Sequence, residues 1–364
     1  MTIAGGTILI PVLMLIFLLA MPSLSIQGAS NGLLLWFNVV LPTLAPFMIC
    51  THLITMFGGM ELLMKPFAPL FRRFFGLTSS GGYVLLCGLL CGYPLGARLC
   101  ADFYSRGQIT RQEAQYLLSI CNHPSPMFLL GYVKSQLSMD IPAFLVPLCL
   151  YLPVLPLSLI SRRFYYTGIT VQDSRHCEKV HTASSSHSYE MDTQESDPLR
   201  ISVEEILMST CDTLVVIGGY IMLFSILTAW ISVIPVLPLK IKALLSGLAE
   251  ITTGVHQICS CGEFSSPLFP VVAAISFGGL SGIFQTKSVI RVTSADTKTS
   301  SGNAKNAGLS IRHYLIWKLL HMSLSCIMLL LQPVLLQQPE LRELRRGVQL
   351  HRWLLRKELR AYPR

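Results

Sequence analysis

The sequence predicts an all-α, polytopic membrane protein with two inverted repeats, each holding a re-entrant hairpin and a broken transmembrane helix. Three observations carry this prediction. The 364 residues are 52% hydrophobic and only 13% charged, against about 25% charged in ordinary soluble domains. Apolar blocks recur at the roughly 20-residue length that crosses a hydrocarbon core as helix. In each half, two of these blocks are interrupted by Gly, Pro or polar residues. So few charges cannot cover a soluble surface, which excludes a soluble enzyme and, with it, collagen-like, disordered and disulfide-stapled chains.

Residues 7–26 form the first apolar block. No Lys or Arg precedes it and no clear cleavage site follows, so a retained helix is expected rather than a signal peptide. An uncharged link, 25–32 (SIQGASNG), leads to a span at 33–57 that Pro42 and Pro46 interrupt. Lys65, Arg72 and Arg73 then set 58–80 on the cytoplasmic side by the positive-inside rule. The run 81–97 (GGYVLLCGLLCGYPLGA) is short and broken at Gly92-Tyr93-Pro94, with Arg98, Arg106 and Arg111 directly after. Basic residues on both flanks predict a hairpin over 81–98, hinged at Gly92 and Pro94, that enters and leaves on one side. Irregular backbone at membrane depth is tolerated only where protein or a water-filled cavity covers it. Residues 114–133 cross next, broken at Asn122-His123-Pro124-Ser125-Pro126, and 141–160 return.

A polar stretch at 162–200 separates a first half, 1–161, from a second, 201–336. It cannot bury a core and is expected to be a flexible cytoplasmic linker. An amphipathic piece at 199–210 precedes a span at 211–235. The second hairpin falls at about 240–262, around Glu250-Ile251-Thr252-Thr253-Gly254. The second broken span, about 267–285, contains Phe277-Gly278-Gly279-Leu280-Ser281-Gly282, so Gly254, Gly278 and Gly279 are expected hinges. A basic polar loop, 286–312, leads to a last span at about 315–336. Counting spans sets the two hairpins on opposite sides, as an inverted repeat requires. Paired interrupted segments of this kind point to a transporter binding site. Within the basic tail, 337–364, the segment Leu341–Arg364 carries +6 of the net +9. It suits anionic lipid better than nucleic acid, because no basic face is interleaved with aromatics. The same span count sets the tail outside the cytoplasm, against the positive-inside rule.

Glu250 is the foremost candidate for chemistry. A carboxylate inside a membrane segment costs about 2.5–3.5 kcal/mol on insertion scales, so a functional role is the default. It suits a cation or proton site, or an acceptor for a substrate donor. The plainer alternative is a cap on the hairpin's own N–H groups, and Thr252 and Thr253 suit either. Arg98 offers a bidentate donor to an anion or snorkels to headgroups. Asn122, His123 and Ser125 sit at a helix break, where half-helix N-termini can hold an anion. A proline kink repaired by polar neighbours is the alternative there. Ser281 and Gln285 would line the cavity from the second half. Asp102, Glu113, Asp140 and Glu263 lie near loop ends and are expected to be solvated. The scattered cysteines, Cys87/Cys91 and Cys259/Cys261 included, supply no four-ligand site. His52, His256 and His321 lack spaced partners. With no phosphate loop, zinc helix or nucleophile elbow, no catalytic residue, metal or cofactor is expected.

These motifs also carry a resemblance. LPTLAPFMI (41–49), GGYVLLCGLLCGYPLGAR (81–98), SICNHPSPMFLLG (119–131), EITTG (250–254) and SFGGLSGIFQ (276–285) resemble, in order, the YlbJ/SpoVV sporulation integral membrane proteins. That family stands with the nucleoside-recognition Gate domains, which are related to concentrative nucleoside transporters. The resemblance covers roughly residues 30–335. It implies a multi-pass bacterial membrane protein, set in the outer forespore membrane during sporulation, that moves dipicolinic acid toward the forespore. His123 stands where Asn or a small residue is expected, and the linker and tail are particular to this chain. The implied partners are a small anionic substrate and membrane lipid. A homo-oligomer or contacts with other sporulation membrane proteins are compatible with this, and proton and sodium both stay open as coupling ion. A transporter of nucleosides or other small polar solutes, and a non-transporting sporulation scaffold, are the alternatives.

Overall fold

The computed structural model describes residues 2–137, 141–166, 198–296 and 309–336, and every regular element among them is helical. The first half contains α1 (Thr2–Ala20), α2 (Pro22–Leu35), α3 (Leu41–Met56), α4 (Met60–Met64), α5 (Ala68–Phe75), α6 (Ser79–Cys91), α7 (Leu95–Ser105), α8 (Arg111–Ile120), α9 (Lys134–Leu137), α10 (Leu145–Tyr151) and α11 (Val154–Tyr165). The second contains α12 (Pro198–Ser232), α13 (Leu239–Ala249), α14 (Ile251–Ser260), α15 (Leu268–Phe277), α16 (Gly279–Asp296) and α17 (Ile311–Leu336). Two wider π-helical turns, Trp36–Val40 and Phe128–Val133, precede α3 and α9. Asp140, the basic tail and most of the 162–200 linker lie outside the described residues, although residues 162–165 continue α11.

Five stretches are long and apolar enough to cross a membrane: Pro22–Met56, Leu145–Tyr165, Val203–Ser232, Leu268–Ile290 and Ile311–Gln332. A sixth arises if α5 and α6, bent by 93° at their junction, count as one. Leu15, Leu34, Phe37, Leu159, Val215, Ile316 and Leu330 point outward and exposed, an arrangement suited to lipid and not to water. The protein is therefore a multi-pass helical membrane protein.

The structure departs from several sequence expectations. The link expected at 25–32 is the middle of α2, because its small residues form a packing surface. Gly28 and Gly32 lie one turn apart against α12. A Cβ on Gly32 would stand 2.7 Å from the Ser225 Cβ, and one on Gly28 2.9 Å from the Ala229 Cβ. Small residues at this spacing let helix backbones approach closely in lipid. Ser25 completes the seam, donating to the Met21 carbonyl at 2.8 Å and accepting from Trp230 Nε1 at 3.0 Å. Next, the amphipathic piece 199–210 and the span after it are one helix, α12, because no Gly or Pro falls between Leu199 and Ile217 to end it. By the same reasoning the loop expected from residue 286 is helical to Asp296, since α16 meets no breaker after Gly282.

Both hairpins form around a break between two short helices. Thr78 caps α6, its Oγ1 accepting from Gly81 N at 3.0 Å. Glu113 holds that cap in turn: its Oε1 accepts from Thr78 N at 2.9 Å and from Thr78 Oγ1 at 2.8 Å. Glu113 is thus buried at the start of α8 and not solvated. The α6–α7 hairpin turns at Gly92, φ +89°, followed by a cis Tyr93–Pro94 bond. A Cβ on Gly92 would lie 2.7 Å from Ser125 N, so the tip is pressed onto the break between α8 and the second π-turn. The α13–α14 hairpin turns at Glu250 and is pressed onto the break between α15 and α16. There a Cβ on Gly279 would meet Ile251 Cγ2 at 3.2 Å and the Ala249 carbonyl at 3.4 Å. One apolar core holds Phe128, Leu129, Val146 and Leu150 of the first half together with Ile251, Val255, Val271 and Ile275 of the second. The halves are therefore packed as one body around these breaks.

Candidate functional site

A pocket opens where the two hairpin tips and the two helix breaks converge. Gly92 and Tyr93 come from the first tip, Pro124 and Ser125 from the first break, Glu250 and Thr252 from the second tip, and Gly278, Gly282 and Gln285 from the second break. Val40, Leu44, Ile217 and Ile221 complete an apolar wall, with the Thr43 hydroxyl among them. That hydroxyl is spent on the backbone of the first π-turn, donating to the Val39 carbonyl at 2.8 Å.

Glu250 is 2% exposed and adopts an extended conformation, φ −145°, ψ 126°, as the N-cap of α14. Its Oε2 accepts from Thr253 N at 2.7 Å and from the Thr252 hydroxyl. The cap and the pocket thus share one side chain: Oε2 serves the helix, and Oε1 takes no part in the cap. The Thr252 carbonyl accepts from Tyr132 OH at 2.7 Å, which ties the tip to the second π-turn. Thr253 turns the other way, with its hydroxyl 3.1 Å from Ser225 Oγ on α12. Ser125 borders the pocket and accepts from Phe128 N at 3.2 Å. Gln285 borders it too, its Nε2 donating to Ser281 Oγ at 2.9 Å.

The other expected residues lie apart. Asn122 is 1% exposed behind the wall, donating through Nδ2 to Thr286 Oγ1 at 2.9 Å and Tyr314 OH at 2.7 Å. Arg98 does not border the pocket. Its guanidinium holds α12 instead, through the Ser209 carbonyl at 3.2 Å and the Ser209 hydroxyl. Gly254 faces the Gly247 backbone, where only a missing side chain lets α13 and α14 cross so closely. Pro94 starts α7.

Several residues escaped the sequence reading. Tyr93 lines the pocket, and its hydroxyl is buried without a hydrogen-bond partner. Lys318 on α17 is 1% exposed and donates to the Asn122 carbonyl at 3.2 Å. His321, which has no spaced partners in the sequence, is fully buried against His123, ring centres 4.2 Å apart. Its ring nitrogens lie 2.9 Å from the Leu150 carbonyl and 3.3 Å from that of Ser276. A signal for Lys318 and His321 was present: Tyr314, Lys318, His321 and Ser325 recur at intervals of four, three and four, which is one helix face. All four are buried. Among the described residues, no three His, Cys, Asp or Glu side chains are placed to hold a metal ion.

No protein-family model matches the chain, and no solved structure matches it. It is similar to the sporulation integral membrane protein YlbJ of Bacillus subtilis (strain 168), at 29% identity over 64% of this chain and 62% of that protein. The chain thus spans less than two thirds of the length of the curated relative that it matches. This similarity supports the YlbJ resemblance that the ordered motifs carry.

Proposed function

We propose that this is a sporulation membrane transporter that carries a small anionic solute, dipicolinic acid, across the outer forespore membrane toward the forespore. The observation that carries the proposal is the convergence of both hairpin tips and both helix breaks on one pocket, through Gly92, Ser125, Glu250 and Gly278. Transporters built from paired repeats hold their solute between discontinuous helices, whose half-helix ends supply polar groups at membrane depth. Similarity to a protein named for sporulation supports the setting. In this reading the halves are inverted repeats. Rocking of the hairpin-bearing elements against the long spans gives alternating access, and Glu250 with Thr252 provides polar recognition or couples transport to a proton or sodium ion.

Uptake of labelled dipicolinate, with uridine as comparison, tests the proposal in non-sporulating cells that express the chain. Dipicolinate accumulation above the vector control is expected, with no gain for uridine. Uridine uptake alone would move the substrate class to nucleosides. No uptake of either solute by inserted protein would contradict transport. Removing 167–197 and the tail should leave the flux intact, whereas a scaffold would lose its role.

A further inference from the structure

An anion pocket needs a cation, and no Lys or Arg borders this one. Arg98, the expected cation, is engaged with Ser209 on α12. Lys318 stands directly behind the pocket wall. Gly278 and Tyr93 form that wall, and both touch the lysine's surroundings. A Cβ on Gly278 would stand 3.6 Å from Lys318 Cε and 3.9 Å from Nζ, and Nζ lies 5.8 Å from the centre of the Tyr93 ring. The bare backbone at Gly278 is therefore a window between the pocket and the ammonium.

Lys318 is not explained by its present contacts. An ammonium has three donors, and the hydrogen bond that it makes goes to the Asn122 carbonyl at 3.2 Å. It has no ion-pair partner among the described residues. A lysine inside a membrane segment is costly to insert, by about 2.5–3.5 kcal/mol, unless a counter-charge reaches it. Tyr93 adds a second donor at the same wall, since its buried hydroxyl has no partner. An anionic ligand answers both deficits at once.

We infer that Lys318 is the anion-recognising residue of this pocket, receiving a carboxylate of the solute through the Gly278 window, with the Tyr93 hydroxyl as second donor. The inference rests on the transport reading and sharpens it. The favoured solute is a small carboxylate flat enough to lie against the Tyr93 ring, with any donor group of its own turned to Glu250 Oε1.

The test uses the full chain in nanodiscs, with binding of pyridine-2,6-dicarboxylate and of its uncharged diamide measured by calorimetry. Two neutral variants are compared, Lys318→Met and Lys318→Gln. Removing an unpaired buried charge should not impair insertion, and thermal unfolding checks this. The wild type should prefer the dicarboxylate. Each variant should bind it at least about tenfold more weakly, equivalent to about 1.4 kcal/mol, with diamide affinity unchanged. A folded variant that keeps the wild-type preference overturns the inference while leaving the transport reading intact. If neither variant inserts, Lys318 serves the fold and the inference is likewise overturned. A wild type that binds neither solute removes the transport reading, and the inference falls with it.

Discussion

The α6–α7 hairpin turns at Gly92 in left-handed backbone, φ +89°, and has no charged residue from Ser79 to Ala97. The α13–α14 hairpin turns in extended backbone at Glu250, a buried carboxylate that caps the helix after it. Both tips press onto a helix break and both border the same pocket. The first tip supplies shape: a bare glycine, and an aromatic face from Tyr93. The second supplies charge and hydrogen-bond acceptors. Similar outlines in the two halves thus do not mean interchangeable roles, and substitutions in the two hairpins should separate into packing effects and recognition effects.

The largest expected effect is on the second hairpin's scaffold. Gly254→Val forces a branched side chain into the Gly247 backbone, where nothing flexible can yield. Overpacking costs about 1–3 kcal/mol and occasionally more, so monodisperse protein should be lost on size-exclusion chromatography in detergent. A well-folded variant would break the claim that this crossing needs two bare backbones. Gly92→Ala should come next. It puts a side chain on backbone that is essentially glycine-only, φ +89° and ψ −176°, at about 1–3 kcal/mol, in addition to a contact 2.7 Å from Ser125 N. A clear fall in melting temperature is expected, with solute affinity lowered through shape alone.

Arg98→Gln sharpens the comparison from the other side. The guanidinium serves Ser209, and such hydrogen bonds contribute about 1.5–3 kcal/mol. Thermal stability should fall, while the apparent affinity for the solute stays within about twofold, or 0.4 kcal/mol. A tenfold loss of affinity would return Arg98 to the pocket. The smallest effect is expected for Thr253→Ala, which removes the 3.1 Å contact to Ser225 but keeps the backbone N–H that Glu250 caps. About 0.5–1.5 kcal/mol of stability is at stake, with flux close to wild type.

Legibility in the sequence followed a physical rule. Breaks that rest on local backbone chemistry were readable: the structure turns at Gly92, at Glu250 and at Gly278, where Gly, Pro or an intramembrane acid interrupts an apolar run. Features that depend on a distant partner were not. SIQGASNG reads as a link because small polar residues usually make loops, yet Gly28 and Gly32 are small to admit α12. Glu113 reads as a solvated helix start, yet it holds Thr78 from thirty-five positions away. Arg98 reads as a pocket cation from its place after the hairpin, and only the path of α12 shows where it points. Lys318 and His321 hid inside an apolar span, although their helical spacing with Tyr314 and Ser325 marked one buried face.

The Glu250 carboxylate is shared between the α14 cap and the pocket, and the proposed transport function depends on its charge. Glu250→Gln keeps a side-chain oxygen for the α14 cap and removes the charge. Labelled dipicolinate uptake should therefore fall to the vector background, while the variant inserts and melts like the wild type. Wild-type uptake by a well-inserted Glu250→Gln protein would contradict the account.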